Sequence, residues 1–270
     1  MKKGIVVFFG MLMLYMSSAI ATVIPSGATL NLGAQVCSEN GQYCLDMQAS
    51  DGNLVLYGPS GVVWSAQVAG KGVTRAVVQP DGNFVLYTSA NVPVLYFNTQ
   101  HPGAYLNVQN DGNLALYWDR PVWQSHTSDT GSIQTNQGRI LHTNNRILVG
   151  TSYTVGQYFL ILQADGNFVL YKNGGAIWNS GTPGRGVTAA WMQNDGNFTL
   201  TNDAGTAIWQ TNTEVNSNNY FAFQPDGNLV VYAPTVSWDR LAHFNHPDYL
   251  DHGGGNYCFA CTAKPISIPF

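Results

Sequence analysis

The chain has 270 residues, of which only 10% are charged, and its formal net charge is -4. Soluble domains usually carry about 25% charged residues, so this surface bonds mainly through neutral polar groups. The acidic balance and the absence of any Lys/Arg cluster speak against nucleic acid and against an anionic membrane, because both need a basic face on the protein.

The first 21 residues have the three parts of a secretory signal peptide. Lys2 and Lys3 precede an apolar run that starts at Ile5, and small residues before Thr22 allow cleavage after Ala21. A transmembrane anchor is the alternative interpretation, but the run is shorter than the roughly 18 apolar residues that a spanning helix needs. We therefore predict a secreted mature chain.

The four cysteines form two close pairs. Cys37 and Cys44 flank an Asn-Gly turn signal, which would place the two sulfurs opposite each other in a hairpin. Cys258 and Cys261 form a CxxC, which in a cytosolic chain would indicate redox chemistry or zinc. Because secretion permits disulfides, we predict a local bridge in each pair.

A block built on Asp-Gly-Asn occurs six times, most clearly as Gln-Pro-Asp-Gly-Asn-Phe-Val-Leu-Tyr from Gln79 to Tyr87. The copies are numbered one to six by their asparagines: Asn53, Asn83, Asn113, Asn167, Asn197 and Asn228. The spacings of 30 and 30, then 30 and 31, indicate two sets of three repeated supersecondary units. We predict a signal peptide (1–21), a first domain (22–128), a second domain (129–240) and a C-terminal extension (241–270).

Each repeat has the pattern of short β-strands separated by turns. In the fourth repeat an apolar strand begins at Tyr158, Asp-Gly turns it, and an outgoing strand ends at Tyr171 before a third strand that contains Trp178. Glycine after Asp supplies the positive φ that a hairpin turn needs. Helical periodicity is absent from the mature sequence, so the fold class is all-β.

The outgoing strand alternates between two faces. Phe84 and Leu86 occupy positions that are apolar in every copy and should point inward, which leaves Asn83, Val85 and Tyr87 facing out. The third strand carries a tryptophan in five repeats (Trp64, Trp123, Trp178, Trp209 and Trp238). In the remaining repeat, which contains the second copy, Tyr96 takes that place. These aromatic residues could either stack on a sugar or form a shared core, and the large area that an aromatic side chain buries favours the core.

The outward set of Gln, Asp, Asn, Val and Tyr suits a neutral sugar. A carboxylate accepts from vicinal hydroxyls, amide groups donate to their oxygens, and Val can pack against the C–H face of the ring. Each hydrogen bond contributes only about 0.5–1.5 kcal/mol net, so a shallow site of this kind is weak. One carboxylate per site is too few for a hard cation, and we expect neither a metal nor another cofactor.

The pattern Gln-x-Asp-x-Asn-x-Val-x-Tyr, complete in three of the six copies that extend over positions 22 to 240, resembles the bulb-type (monocot-type) mannose-binding lectins. The resemblance implies two tandem β-prism II domains, each with three four-stranded antiparallel sheets around a pseudo-threefold axis and tryptophans at its centre. It also implies calcium-independent binding of mannose-like sugars, with Gln, Asp, Asn and Tyr as hydrogen-bonding groups and Val as the apolar contact.

Three copies keep the whole motif and are the predicted carbohydrate sites: Gln79, Asp81, Asn83, Val85 and Tyr87; Gln163, Asp165, Asn167, Val169 and Tyr171; Gln224, Asp226, Asn228, Val230 and Tyr232. The third copy has Ala115 in place of Val and should bind more weakly through Gln109, Asp111, Asn113 and Tyr117.

Two copies are predicted to be structural. In the first copy an extra residue displaces Gln48 by one position, which would change the face that it occupies. The fifth copy has Thr199 and Thr201 where the motif has Val and Tyr. Turn chemistry alone would explain the Asp-Gly-Asn of every copy, but not the Gln, Val and Tyr at fixed spacing.

The sequence after Arg240 leaves the pattern. Three His, two Asp and two Cys lie within this tail, but no pair has a zinc spacing with a matching partner pair, so packing of the tail or docking on a partner is favoured over metal binding. An enzyme is not indicated, because the six His are scattered and neither a nucleophile elbow nor paired catalytic carboxylates occur.

The tandem architecture is also similar to that of the lectin-like bacteriocins. That resemblance implies binding of mannose- or D-rhamnose-containing surface polysaccharide and an outer-membrane protein receptor. The chain departs from it because one complete motif lies in the first domain, whereas the bacteriocin pattern concentrates competent sites in the second. A non-toxic multivalent adhesin or agglutinin is the alternative, and a homodimer is also open.

Overall fold

The computed structural model describes residues 22–129, 138–214 and 216–241, and every regular element in these ranges is a β-strand. The predicted signal peptide, the Cys258–Cys261 pair and the tail after Leu241 lie outside the described residues. Within those residues no helix is long and apolar enough to cross a membrane.

The strands are short apart from two of eleven residues, which occupy equivalent places in the two halves of the chain. The first half contains β1 (Val23–Ile24), β2 (Thr29–Asn31), β3 (Gln35–Cys37), β4 (Cys44–Met47), β5 (Leu54–Gly58), β6 (Gly61–Ser65), β7 (Val73–Val78), β8 (Phe84–Thr88), β9 (Pro93–Tyr96), β10 (Tyr105–Val108) and β11 (Leu114–Gln124). The second half contains β12 (Arg139–Leu141), β13 (Arg146–Leu148), β14 (Ser152–Val155), β15 (Tyr158–Leu162), β16 (Phe168–Lys172), β17 (Gly175–Asn179), β18 (Ala189–Met192), β19 (Phe198–Thr201), β20 (Ala207–Gln210), β21 (Tyr220–Phe223) and β22 (Leu229–Asp239).

Four sheets have four antiparallel strands each. Their orders are β3-β4-β5-β6 and β2-β7-β8-β9 in the first half, and β14-β15-β16-β17 and β13-β18-β19-β20 in the second. In each sheet the strand after the Asp-Gly-Asn turn is one of the two central strands. The turn requires glycine at Gly82, because φ there is +86° and an added Cβ would lie 1.8 Å from the carbonyl oxygen of His101.

The remaining sheet joins the two halves in the order β1-β10-β11-β22-β21-β12. The two long strands pair antiparallel along their whole length, from Ala115 opposite Asp239 to Gln124 opposite Val230. The end of β22 is therefore the fourth strand of a sheet formed by β1, β10 and the start of β11. In the same way, the end of β11 is the fourth strand of a sheet formed by β12, β21 and the start of β22. Each half thus has three four-stranded sheets, as the β-prism resemblance implied, and the halves exchange strand ends, which the sequence did not reveal.

The two cores follow the predicted inward face. The alternating apolar residues of all six outgoing strands are at most 1% exposed: Leu54, Leu56, Phe84, Leu86, Leu114, Leu116, Phe168, Leu170, Phe198, Leu200, Leu229 and Val231. Trp123 lies 5.9 Å from Trp178 and 5.6 Å from Trp209 in the second core, measured between ring centroids. Trp238 lies 6.2 Å from Trp64 in the first core. The tryptophans are therefore core residues, and Trp123 and Trp238 each complete the core of the other half.

The prediction for Tyr96 was wrong. Strand register places Leu95 opposite Leu86 and Tyr96 opposite Val85, and Tyr96 is 53% exposed. The aromatic residue that this repeat contributes to the core is Phe97, whose ring centroid lies 4.7 Å from that of Trp238. Because side chains of a strand alternate between faces, an assignment one residue off exchanges core and surface.

The predicted disulfide between Cys37 and Cys44 is present. The two residues are cross-strand partners at the end of the β3–β4 hairpin, and Cys44 is also opposite Tyr57 of the first copy. The bridge therefore fixes the strand that borders the motif face of that copy.

Candidate functional site

The second copy shows how the turn prepares a polar site. The backbone N–H of Gln79 donates to the carbonyl of Asn83 at 2.8 Å, and that of Asn83 donates to Oδ1 of Asp81 at 2.9 Å. Across the hairpin, Nε2 of Gln79 donates to the hydroxyl of Tyr87 at 2.8 Å. Within the described residues, Oδ2 of Asp81 and Nδ2 of Asn83 have no hydrogen-bond partner. These bonds thus hold the side chains of Gln79, Asp81 and Tyr87 and leave polar atoms available to a ligand.

The fourth copy has the same arrangement. Gln163 donates to the Tyr171 hydroxyl at 2.8 Å, and Asp165 accepts from the N–H of Asn167 at 2.9 Å. A depression of about 310 Å³ lies against this copy, lined by Phe159, Ile161, Gln163, Tyr171 and Gly174. This volume is at the lower end of the roughly 300–1,000 Å³ usual for small-molecule sites.

The valines of these copies are less accessible than predicted. Val85 and Val169 are each only 2% exposed, so the motif face is not simply turned to solvent. In the sheet, Val85 lies between Val77 and Tyr96. The valine is therefore the floor of the site, with the polar groups around it, and offers a ligand only a small apolar contact.

The first copy is complete, which corrects the prediction that it is structural. Gln48 donates to the Tyr57 hydroxyl at 2.7 Å, and its backbone N–H donates to the carbonyl of Asn53 at 2.8 Å, as in the intact copies. The extra residue lies in the turn instead of the strand. The site therefore consists of Gln48, Asp51, Asn53, Val55 and Tyr57, and one difference is that Nδ2 of Asn53 donates to Ser65 at 3.0 Å.

The third copy keeps the polar geometry but has a different floor. Gln109 donates to the Tyr117 hydroxyl at 3.0 Å, and Asp111 accepts from the N–H of Asn113 at 2.8 Å. Ala115 stands where the complete copies have Val, and in the sheet it lies between Asn107 and Asp239. The floor therefore has less apolar surface and an additional amide.

The fifth copy is closed. Thr199 is fully buried opposite Trp191, and the guanidinium carbon of Arg146 lies 4.2 Å from the centroid of the Trp191 ring. Thr201 is only 5% exposed. This packing agrees with the structural role predicted from the two threonines.

The sixth copy has the motif but not an open face, which corrects the prediction that it presents a sugar-binding surface. Gln224, Asn228, Val230 and Tyr232 are at most 3% exposed. Tyr220 and Ala222, with Ile140 on the edge strand, pack with Val230 and Tyr232.

The remaining carboxylate of the sixth copy is also engaged. Oδ1 of Asp226 accepts from the N–H of Asn228 at 3.0 Å, and Oδ2 accepts from the Ser128 hydroxyl at 2.9 Å. Nδ2 of Asn228 donates to Gln124 at 3.1 Å. The polar atoms that are available in the second copy are therefore used here to hold β11 and the residues after it.

A carboxylate and three tyrosines meet where the third and sixth copies adjoin in the six-stranded sheet. The Tyr105 hydroxyl donates to Asp119 at 3.5 Å, and burial raises the pKa of the Asp119 carboxyl. Burial also raises the pKa of Tyr232 to about 12, and it raises the pKa values of Tyr105 and Tyr220, with the Asp119 charge adding to the shift. These phenols are therefore neutral at physiological pH.

The described part of the chain does not bring together a set of side chains that could hold a metal ion. There, no group of three or more His, Cys, Asp or Glu side chains is placed to hold a metal ion.

No family model matches the chain. A mannose-specific lectin from Aloe arborescens is 38% identical over 100 residues, which are 36% of this chain and 86% of that protein. Mannose-specific lectin 1 from Colocasia esculenta is 27% identical over 224 residues, or 79% of this chain and 81% of that protein. A solved two-domain lectin, the fetuin-binding agglutinin of Scilla campanulata, aligns with a TM-score of 0.46 and 27% identity over 81% of this chain and 99% of its own.

The three-sheet halves and the repeated Gln–Tyr pair define a β-prism protein of the lectin class. The chain belongs to the bulb-type family of mannose-specific lectins. Members of this family bind carbohydrate without catalysing a reaction, and the chain is accordingly a binding protein and not an enzyme.

Proposed function

We propose that the protein binds glycans that contain mannose-like sugars, either mannose or D-rhamnose, through its first, second and fourth copies and more weakly through its third. The observation that carries the proposal is the same Gln–Tyr hydrogen bond of 2.7–2.8 Å in three open copies. Each bond joins two side chains across a hairpin beside an Asp whose Oδ1 is held by the turn.

The available atoms match the hydroxyls of a pyranose. Oδ2 of Asp81 accepts from a hydroxyl, and Nδ2 of Asn83 donates to a hydroxyl oxygen. The Tyr87 hydroxyl accepts from Gln79, so its own proton remains available for donation. Because the side chains of Gln79, Asp81 and Tyr87 are held before binding, they lose little rotamer entropy when a sugar binds. One carboxylate per site falls well short of the roughly six to eight oxygen ligands of calcium, so binding is independent of calcium.

Function depends on several sites acting together. A single shallow site with a dissociation constant near 1 mM corresponds to about -4 kcal/mol. Three or four such sites on one chain raise the avidity for a polymeric glycan by orders of magnitude without any new contact. The expected partner is therefore a branched or repetitive glycan, such as a surface polysaccharide.

Calorimetry on the full-length chain tests the proposal. Methyl α-mannoside should bind weakly in the presence of EDTA, and the chain with Asp81→Asn and Asp165→Asn should retain fewer sites. Asparagine preserves the acceptor that closes the turn, so a loss of sites would not reflect unfolding. A glycan array without signal for mannose or D-rhamnose, from protein with a native circular dichroism spectrum, would exclude this function.

We also propose secretion, which the charged, apolar and small-residue segments before Thr22 support. Expression in a secreting host followed by N-terminal sequencing of the exported protein tests it. A mature chain that begins near Thr22 is the expected result, and a chain that retains Met1 contradicts the proposal.

The biological role is that of a lectin-like bacteriocin that binds bacterial surface polysaccharide or, as the alternative, that of a non-toxic multivalent adhesin or agglutinin. Two of the three open complete copies lie in the first half, whereas the bacteriocin pattern concentrates competent sites in the second. Agglutination of mannose-coated beads without growth inhibition of related Gram-negative strains would support the adhesin. Clearing in that inhibition assay would instead favour a bacteriocin with an outer-membrane receptor, and sedimentation of the same sample measures whether the chain is a homodimer.

A further inference from the structure

The residue beside the motif tyrosine differs among the copies. This residue is the cross-strand partner of the tyrosine, or of Thr201 in the fifth copy. In copies one to six it is Cys44, Arg75, Tyr105, Phe159, Ala189 and Tyr220, respectively. Arg75 is the charged member of this set, so the second copy alone has a cation at this place.

Arg75 is held at the edge of the second copy. In the sheet it lies between Asn31 and Tyr87, and its guanidinium carbon is 5.0 Å from the centroid of the Tyr87 ring. Nη1 donates to the carbonyl of Thr88 at 3.0 Å, and Nη2 donates to Oδ1 of Asn91. A guanidinium has five N–H donors, so these two bonds fix the group and leave donors for a ligand.

The charge of Arg75 is not neutralised by a neighbour. In the described ranges no carboxylate lies within the 4.0 Å of a salt bridge to it. The carboxylate of the site, Asp81, is at the other end of the hairpin. Asn83 and Tyr87 are four residues apart on one strand, which corresponds to about 13 Å. An anionic group beside Tyr87 would therefore meet the cation without facing Asp81 at close range.

We propose that the second copy selects glycans in which the mannose-like sugar is linked to a sugar that carries a carboxylate, such as a uronic acid. The mannose-like ring occupies the Asp81–Tyr87 site, and the carboxylate of the next sugar accepts from Arg75. Planar guanidinium and carboxylate groups pair through two parallel hydrogen bonds, which gives geometric selectivity. The proposal rests on the proposed lectin function.

The fourth copy is the matched neutral site. Phe159 takes the place of Arg75 opposite the motif tyrosine and is 37% exposed beside the 310 Å³ depression. An aromatic ring at this place contacts the C–H face of a neighbouring sugar and has no preference for a carboxylate. The second and fourth copies therefore recognise different neighbours of the same sugar, and the chain is selective for a glycan that contains both.

The test isolates the second copy in the full-length chain with Asp51→Asn, Asp111→Asn and Asp165→Asn. Titration with a mannosyl–glucuronic acid disaccharide is compared with titration of its methyl ester, in which a single methyl group removes the charge. The acid should bind about fivefold tighter, as expected of an exposed ion pair. The difference should shrink at 1 M salt, where the Debye length is about 3 Å.

Two further variants locate the effect. In the isolated second copy, Arg75→Gln should bring the affinities for acid and ester together. In a chain with Asp51→Asn, Asp81→Asn and Asp111→Asn, which isolates the fourth copy, Phe159→Arg should create a preference for the acid. Equal binding of acid and ester by the isolated second copy, or a preference that survives Arg75→Gln, overturns the proposal. Failure of the unmodified chain to bind methyl α-mannoside overturns the lectin function itself.

Discussion

Gln48 donates to the hydroxyl of Tyr57 at 2.7 Å although Tyr57 is nine positions further along the chain, whereas Tyr87 is eight positions after Gln79 in the second copy. The turn absorbs the difference, because the N–H of Gly52 reaches the carbonyl of Gln48 at 3.1 Å across one more residue. The contact between Gln and Tyr is thus set by the register of the paired strands and not by the residue count. The first copy consequently has the same hydrogen-bonded geometry as the second and fourth copies.

The first prediction is that the Asp51→Asn variant loses one mannose site. Oδ1 of Asp51 accepts from the N–H of Asn53 at 2.9 Å, and the amide oxygen of asparagine preserves this bond while Oδ2 is replaced by a donor. Calorimetry should show one site fewer, with a change in unfolding free energy within about 0.5 kcal/mol, as is usual for a surface substitution.

The matched control for that variant is Asp195→Asn in the closed fifth copy, where the same turn bond is 2.9 Å long. This substitution makes the same chemical change in a turn without an open site beside it, so the number of sites should stay the same. A site count that Asp51→Asn leaves unaltered would contradict the assignment of the first copy.

The sequence predicts the repeated parts of the molecule well, because period and alternation are local properties. Phe84 and Leu86 are buried as their alternation indicates, and the Asp81–Asn83 turn forms as its residues require. The exchange of strand ends could not be predicted, because Trp238 has the same local sequence context whichever core it enters. Burial of Tyr232 was missed for a related reason, since it depends on how the two halves adjoin.

The second prediction concerns the sixth copy, where Asp226→Asn should leave mannose binding unchanged and destabilise the fold. Oδ2 of Asp226 accepts from the Ser128 hydroxyl at 2.9 Å, and hydrogen bonds to charged groups contribute about 1.5–3 kcal/mol. Urea unfolding should show a loss of this order. Ser128→Ala should cause a similar loss, and the double variant should lose less than the sum. A reduced number of mannose sites in Asp226→Asn would show that this copy opens.

The third prediction is that Trp238→Ala loosens the first core although the residue lies near the end of the chain. Trp238 is 8% exposed and contacts Trp64 and Phe97, and loss of a buried Trp costs about 3–5 kcal/mol. Hydrogen exchange should accelerate in β5 and β8. Trp123→Ala is the matched variant and should accelerate exchange in β16 and β19. If Trp238→Ala accelerated exchange only in the second half of the chain and Trp123→Ala only in the first half, the exchange of strand ends would be refuted.

The fourth prediction is a loss of stability between pH 10 and pH 12. Burial raises the pKa of Tyr232 from its ordinary 10.0 to about 12, and it raises the pKa values of Tyr105 and Tyr220 as well. The contribution of these neutral phenols is fully present below pH 10. Above pH 10 the unfolded chain releases protons that the folded chain retains, so the free energy of unfolding falls as pH rises. Urea midpoints should decrease over this window together with a rise in tyrosinate absorbance at unfolding.

Tyr232→Phe should be less stable at pH 8, because it loses the 2.8 Å bond from Gln224, but its stability should fall less steeply above pH 10. An unchanged slope in Tyr232→Phe would contradict this account, and Tyr153→Phe, outside the six-stranded sheet, controls for the loss of one phenol.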